Sequence, residues 1–292
     1  NVYANYGLDD DEIDMYEIEC DSGYVQMCGT RDAWQRLKSL SANAADPEVY
    51  AQIKNLLDID ECCNYMAIQF YLGNNDWPQN NLKAWRPIME NGKFRFIIFD
   101  LDFGFYNNDP FPHFTSRQWY TFCELFDVPG VSHYTREVEI VPIFMNLLKN
   151  ADFRRKFVDA FCLVAGSVFQ PERSRRLVNR LVSVVEYMQT RESGYPGRNV
   201  SPRSSADEVI NGLADRAPML YGALQNFSAA GLSGNGQEVV LSANTEVAQL
   251  GVNGQTVPLH SFDGRLYPPV TLSAQAPASY RFVGWKTKTA IN

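Results

Sequence analysis

The chain has 292 residues, a formal net charge of −8, 45% hydrophobic and 13% aromatic residues. That length holds one large domain, or a large one with a small one, and the composition fills an ordinary core, which excludes wholesale disorder. The acidic balance argues against a general nucleic-acid or anionic-membrane binder, because affinity for phosphates comes chiefly from Lys and Arg.

In chain order, residues 12–19 alternate as a strand does, and a turn follows at 21–23. Helical periodicity then covers 32–40 and 47–57. A further helix over 58–72 opens with Asp58 three residues before Glu61, the spacing of a capping box. It runs into Gly-Asn-Asn-Asp-Trp-Pro-Gln-Asn-Asn, residues 73–81, whose Gly, Asn, Asp and Pro mark a loop. Residues 82–88 and 93–99 read as two strands joined by a turn at 90–92. From 107 to 131 the chain is aromatic, Pro-rich and aperiodic, which predicts a long ordered loop.

Helices are expected at 139–149, 151–168, 171–190 and 205–226, with a connector at 193–202. Arg173, Arg175, Arg176 and Arg180 read as a solvated face on the third of these. Val, Thr and Leu alternation over 237–285 predicts a small β-rich unit, placing the domain boundary at 230/231. No apolar run reaches membrane-spanning length; the nearest, 157–169, is interrupted by Asp159. The chain opens without an initiator Met, so a trimmed piece whose export signal has been removed is expected.

Six cysteines include no CxxC pair, which argues against a zinc site. Cys20 and Cys28 are spaced to close a short loop, while Cys62 and Cys63 are neighbours that a helix would point apart. His113, His133 and His260 are scattered without an HExxH or a Ser/His/Asp order, so metalloprotease and triad chemistry fail. Asn199 opens a glycosylation sequon, read as chance.

The sequence "FRFIIFDLDFGF", residues 94–105, ends an apolar run in Asp100 and Asp102. Upstream, Asp76 and Asn81 stand five residues apart in the loop that precedes the two strands. Phosphoryl transfer by a protein kinase uses this order of parts. One Asp receives the hydroxyl proton, an Asn five residues later holds Mg²⁺, and a metal-binding Asp often followed by Phe-Gly lies further on. Here Asp102-Phe103-Gly104 is a literal match.

Three other readings compete for the two aspartates. A haloacid-dehalogenase-type phosphatase takes its nucleophile from a DxD at a strand end, but wants Gly then Thr or Val after it, and a later Lys and acidic pair. A sugar transferase uses DxD to hold a metal–nucleotide. The plainest alternative is a pair that caps a strand through backbone hydrogen bonds. For Asp76 and Asn81 the plain alternative is a turn-forming cluster, the reading kept for Asn74, Asn75 and Asn80. Lys83 and Arg86 are expected on an exposed strand face, with a phosphate contact as the alternative.

"GNNDWPQNNLKAWRP" followed by "GKFRFIIFDLDFGF" resembles the CotH kinase family, atypical kinases related to spore coat protein H. The likeness extends over roughly residues 5–227 and includes "NYGLDDDEIDMYEI" and "LLKNADFRRKF". It implies an α+β, protein-kinase-like fold: a mainly helical C-lobe with a small catalytic β-hairpin, followed here by the small all-β unit. It also implies transfer of the ATP γ-phosphate to a protein Ser or Thr with Mg²⁺ or Mn²⁺. Position by position, Asp76 matches the catalytic aspartate and Asn81 a metal and nucleotide ligand. Asp102 is the metal-binding carboxylate by its Phe-Gly neighbours, with Asp100 an alternative or helper.

Trp77-Pro78 replaces the basic neighbours of ordinary kinases. No Gly-rich turn between strands and no strand lysine precedes Asp76, so an N-terminal nucleotide lobe is expected to be missing from this stretch. A non-catalytic, kinase-shaped surface scaffold is therefore the second reading. Residues 268–285 resemble β-rich modules of bacterial surface proteins, which suggests an exported, extracellular or envelope protein and a protein or cell-surface partner.

Overall fold

The computed structural model describes residues 2–19, 23–105, 108–115, 138–192 and 202–287. The architecture is α+β: a body of helices flanked by small antiparallel sheets. Cys20, Cys123, His133 and Asn199 lie outside the described residues, as does most of the stretch expected to be a long loop.

A short helix α1 (Val2–Tyr6) precedes strands β1 (Ile13–Glu19) and β2 (Gly23–Cys28). Helices α2 (Asp32–Ser41), α3 (Pro47–Ile53) and α4 (Ile59–Leu72) follow, then β3 (Leu82–Pro87) and β4 (Arg95–Ile97). The four strands form one antiparallel sheet in the order β2-β1-β3-β4. The expected β3–β4 hairpin is thus half of a larger sheet, and β4 is shorter than the pattern suggested. β2 was not foreseen. Its Cys28 is a free thiol.

Strand alternation divides this sheet into two faces. Tyr16, Ile18, Leu82, Ala84 and Phe96 face the main core, whereas Ile13, Met15 and Trp85 form a second cluster with Val2. Tyr6 of α1 packs on Trp85 with ring centroids 4.8 Å apart.

Helix α4 is the axis of the body. It is apolar nearly all round, as a buried helix must be, and Cys62, Cys63, Met66, Ala67, Phe70 and Tyr71 are all buried. Asp58 Oδ1 accepts from the Glu61 N–H at 3.3 Å, the first half of the predicted capping box. The second half is absent, because the Glu61 carboxylate accepts instead from the Phe96 N–H at 3.0 Å. Gly73, at φ 57°, closes the helix in the left-handed conformation that favours glycine.

Beyond β4 come α5 (Pro110–Thr115), α6 (Ile140–Leu147) and α7 (Ala151–Leu163), which runs into a π turn at Val164–Val168. The aperiodic stretch therefore contains a short helix, made of Pro, Phe and His rather than of an amphipathic repeat. The Phe70 ring contacts those of Trp77, Phe111, Phe114, Phe144 and Phe157, tying α4, the following loop, α5, α6 and α7 together.

Helix α8 (Pro171–Glu192) packs on α9 (Pro202–Ala214). Arg175, Arg176 and Arg180 are exposed on α8, as expected of a solvated face. The helix foreseen over 205–226 is two, because the chain breaks at Asp215 before α10 (Arg216–Asn226).

Strands β5 (Gln237–Ser242) and β8 (Ser261–Leu266) pair, and β6 (Gln249–Val252) lies between β7 (Gln255–Thr256) and β9 (Leu272–Gln275). Their Leu241, Leu250, Val252, Phe262 and Leu266 join the same hydrophobic core as the helices. The Phe262 ring lies over Gly166 in the π turn, so closely that a Cβ there would meet it at 2.4 Å. Asn253 Nδ2 donates to Asp159 Oδ2 at 2.9 Å, and Gln255 Nε2 to the Lys156 carbonyl at 2.9 Å.

Candidate active site

The loop between α4 and β3 is held from below by aromatic packing. Trp77, 2% exposed, donates its indole N–H to the Tyr65 hydroxyl of α4 at 2.9 Å. Its carbonyl meets His113 Nε2 at 3.1 Å. Trp77 thus gives the loop an apolar anchor.

On that anchor Asp76 is half-buried. Its Oδ2 accepts from Asn80 Nδ2 at 2.9 Å and from Asn81 Nδ2 at 3.0 Å. Asn81 Nδ2 also reaches the Asp100 carbonyl oxygen at 3.4 Å, and Asn74 Nδ2 reaches the same oxygen at 3.5 Å. The Asn75 N–H donates to the Phe103 carbonyl at 3.1 Å. The structure therefore brings the Asp76 loop and the Asp100–Phe103 corner together, with Asn81 between them.

Two positive φ angles make this approach work. Asn81 sits at φ 55° and Asp100 at φ 49°, a left-handed region that Asn and Asp enter more readily than other residues with a Cβ. At Asp100 the kink turns the carbonyl towards Asn74 and Asn81 while the exposed side chain points outward. A turn closed by the Gly104 N–H on the Leu101 carbonyl, at 2.9 Å, then presents Asp102. Asp102 Oδ1 accepts its neighbour Phe103's N–H at 3.0 Å.

The electrostatics are those of crowded carboxylates. Burial raises the Asp76 pKa, Asn80 opposes this by hydrogen bonding, and the charges of Asp100 and Asp102 raise it further. The Asp100 pKa is raised chiefly by the hydrogen bond it shares with the Asp102 carboxyl. Two carboxyl groups near enough to share a proton are also near enough to share a cation. Among the described residues no Lys or Arg forms an ion pair with any of the three.

No group of three His, Cys, Asp or Glu side chains among the described residues makes a metal cage by itself. That donor count fits Mg²⁺, which commonly takes one or two carboxylates and fills its sphere with water and phosphate oxygens. Asp100 and Asp102 are the two carboxylates that could hold such an ion. Asn81 Oδ1, which accepts from no donor among the described residues, could add a neutral oxygen.

Two basic side chains of β3 differ from expectation. Lys83 and Arg86 are not on a plain exposed face: Lys83 Nζ pairs with Glu17 at 2.8 Å and Arg86 Nε with Asp14 at 2.8 Å. The pairing of β1 with β3 sets Glu17 opposite Lys83 and Asp14 opposite Arg86, a long-range register that no local pattern announces. The Lys83 ammonium also lies 4.7 Å from the centre of the Phe99 ring, next in sequence to Asp100. A groove of about 350 Å³ opens there, with Val2, Ile13, Met15, Lys83, Ile97 and Phe99 among its lining residues.

β4 is a three-residue edge strand, and Ile98 and Leu101 are exposed, so the DxD does not end a long buried strand.

The fold is α+β, and its candidate site is a carboxylate–amide cluster where the loop after α4 meets the corner after β4. Residues 2–215 match the family described as CotH kinase protein. The chain belongs to the CotH kinase family. No curated protein and no solved structure matched it.

Proposed function

We propose that the chain carries the catalytic lobe of an atypical protein kinase, which transfers the ATP γ-phosphate to a protein Ser or Thr. The observation that carries this reading is the connection from Asp76 through the Asn81 amide to Asp100. It joins the loop that would receive the acceptor hydroxyl to the corner that would hold the metal.

Asp76 acts as the base. Its Oδ2 is fixed by two amide donors, and its raised pKa makes it a better proton acceptor than an ordinary Asp. The acceptor oxygen forms its bond to the γ-phosphorus as the bond to the ADP oxygen breaks, and the hydroxyl proton passes to the Asp76 carboxylate. Asp102 and Asn81 hold the metal, with Asp100 beside them. When bound, Mg²⁺ or Mn²⁺ neutralises charge on the triphosphate. The groove beside Lys83 and Phe99 accommodates the nucleotide base, with Lys83 held in place by Glu17.

Two-unit organisation with a boundary at 230/231, a protein acceptor outside the cell, and export to the envelope belong to the same proposal. Among the described residues no helix is long and apolar enough to cross a membrane. A second reading, a non-catalytic surface scaffold, draws support from exposed Tyr280, Phe282, Val283 and Trp285 near the end of the β-rich unit.

Titration with ATP and Mg²⁺, followed by phosphate incorporation into protein, separates the two. Wild type is expected to incorporate phosphate. Asp76→Asn should bind nucleotide with incorporation reduced by about 10²–10⁴-fold, and Asp102→Ala should lose metal-dependent nucleotide binding. Equal incorporation by all three overturns the kinase reading.

A further inference from the structure

On the sheet face opposite Lys83, a second cavity of about 240 Å³ lies between α2, α3 and the β3–β4 turn. Its lining is Arg36, Gln52, Asn55, Leu56, Arg86, Asn91 and Gly92, so six of the seven offer a guanidinium, an amide or peptide backbone alone. No carboxylate lines it. In a protein of net charge −8 this hollow gathers two guanidinium groups, one of them, Arg86, paired with Asp14 behind the lining.

The walls are fixed. Arg86 Nε is locked onto Asp14, which is 4% exposed, and Arg86 Nη1 donates to the Gly92 carbonyl at 3.1 Å. Those two bonds leave Nη2 with no protein acceptor. Gly92 is required: a Cβ there would fall 2.0 Å from the Pro87 carbonyl oxygen. The turn is closed by the Gly92 N–H on the Met89 carbonyl at 3.0 Å, with Asn91 at φ 60°. The Phe94 N–H then donates to the Leu56 carbonyl at 2.7 Å, tying the turn to the segment after α3.

The other polar lining side chains, Arg36, Gln52, Asn55 and Asn91, are exposed and face solvent. Among the described residues Arg36 forms no ion pair, and the side-chain amides of Gln52, Asn55 and Asn91 make no hydrogen bond to protein. Donors outnumber acceptors on the lining side chains, and Asp14, the carboxylate that pairs with Arg86, also accepts from the Thr30 N–H at 2.8 Å. We infer that this hollow is a binding site for a phosphoryl dianion, held between the Arg36 and Arg86 guanidinium groups and oriented by the three amides. Two arginines match a doubly charged, multi-oxygen anion better than a single carboxylate, which one guanidinium fork satisfies. A phosphorylated side chain and free phosphate share this chemistry.

The test is calorimetric titration of the full chain, in EDTA, with O-phosphoserine, inorganic phosphate and glutamate. Arg36→Ala and Asn91→Gly serve as variants. Arg36 is exposed and unpaired, and glycine suits the positive φ of Asn91, so both should keep the wild-type melting temperature. Both phosphoryl probes should bind wild type, at least about tenfold more weakly to Arg36→Ala, and more weakly to Asn91→Gly. Tighter phosphoserine than phosphate assigns the site to a phosphorylated protein; the reverse assigns it to the free anion. Unchanged affinity in Arg36→Ala, no binding by wild type, or glutamate bound as tightly as phosphate overturns the inference.

Discussion

Asn81 Nδ2 lies 3.0 Å from Asp76 Oδ2 and 3.4 Å from the Asp100 carbonyl oxygen, so one amide spans the two halves of the site. Its position depends on a left-handed backbone at φ 55°. Substitutions here therefore separate backbone strain from lost chemistry. Asn81→Ala should lose about 1–2 kcal/mol of stability to the φ angle alone, in addition to its hydrogen bonds. Asn81→Gly removes the amide without that strain. On the kinase reading both should bind Mg²⁺·ATP at least about tenfold more weakly, with Asn81→Gly the more stable. Thermal melts and nucleotide titrations check this; wild-type affinity in Asn81→Gly removes Asn81 from the ligand set.

The carboxylate cluster predicts how metal and pH interact. Asp76 and Asp100 both have folded-state pKa values raised above the ordinary 3.8. Their protonated forms are the ones the fold favours. The stabilisation is complete below the unfolded value and is lost as pH rises through the raised folded values. Mg²⁺ should relieve the same repulsion once the protons are gone. The rise in melting temperature on adding Mg²⁺ should therefore grow from pH 4 to pH 7, and shrink in Asp102→Asn. A metal effect independent of pH would contradict this.

Glu61 supplies a second, independent titration. Burial pushes its pKa from 4.5 to about 7, against the Phe96 N–H that favours the charge, and Oε2 is buried with no partner. Protonated Glu61 is thus favoured by folding below about pH 4.5, and that advantage fades as pH rises through about 7. Glu61→Gln, which mimics the neutral acid, should be more stable than wild type at pH 8 by at most about 3 kcal/mol. It should flatten the stability profile between pH 5 and 8, as urea melts across that range would reveal.

The contact between Gly166 and Phe262 tests how the β-rich unit depends on the helical body. Gly166→Ala drives a methyl group into the ring and should destabilise by about 1–3 kcal/mol. Phe262→Ala leaves a cavity and should cost about 3–5 kcal/mol. The double variant should cost less than the sum, because the smaller side chain vacates the space the new methyl needs. Strict additivity in chemical denaturation would show that the two do not touch in solution.

Local chemistry made much of this legible. The start of α4 could be read from Asp58 and its end from Gly73, because capping depends on residues within one turn. The Asp76–Asn81 spacing and the Asp-Phe-Gly triplet marked the candidate site for the same reason: each is a short run with a mechanical requirement. The sequence failed where partners are distant. β2 went unforeseen, and the single helix expected over 205–226 is broken at Asp215 between α9 and α10.

From the sequence alone came the family, the α+β class and the acidic and amide residues that a phosphotransferase would need. Tertiary structure decided that Asn81 joins Asp76 to Asp100, that Lys83 and Arg86 are held by Glu17 and Asp14, and that two guanidinium groups frame a hollow across the sheet. Residue type and near spacing are written along the chain. Strand register and the meeting of groups far apart in sequence are set only when the whole core packs, since each buried face must find its partner at once.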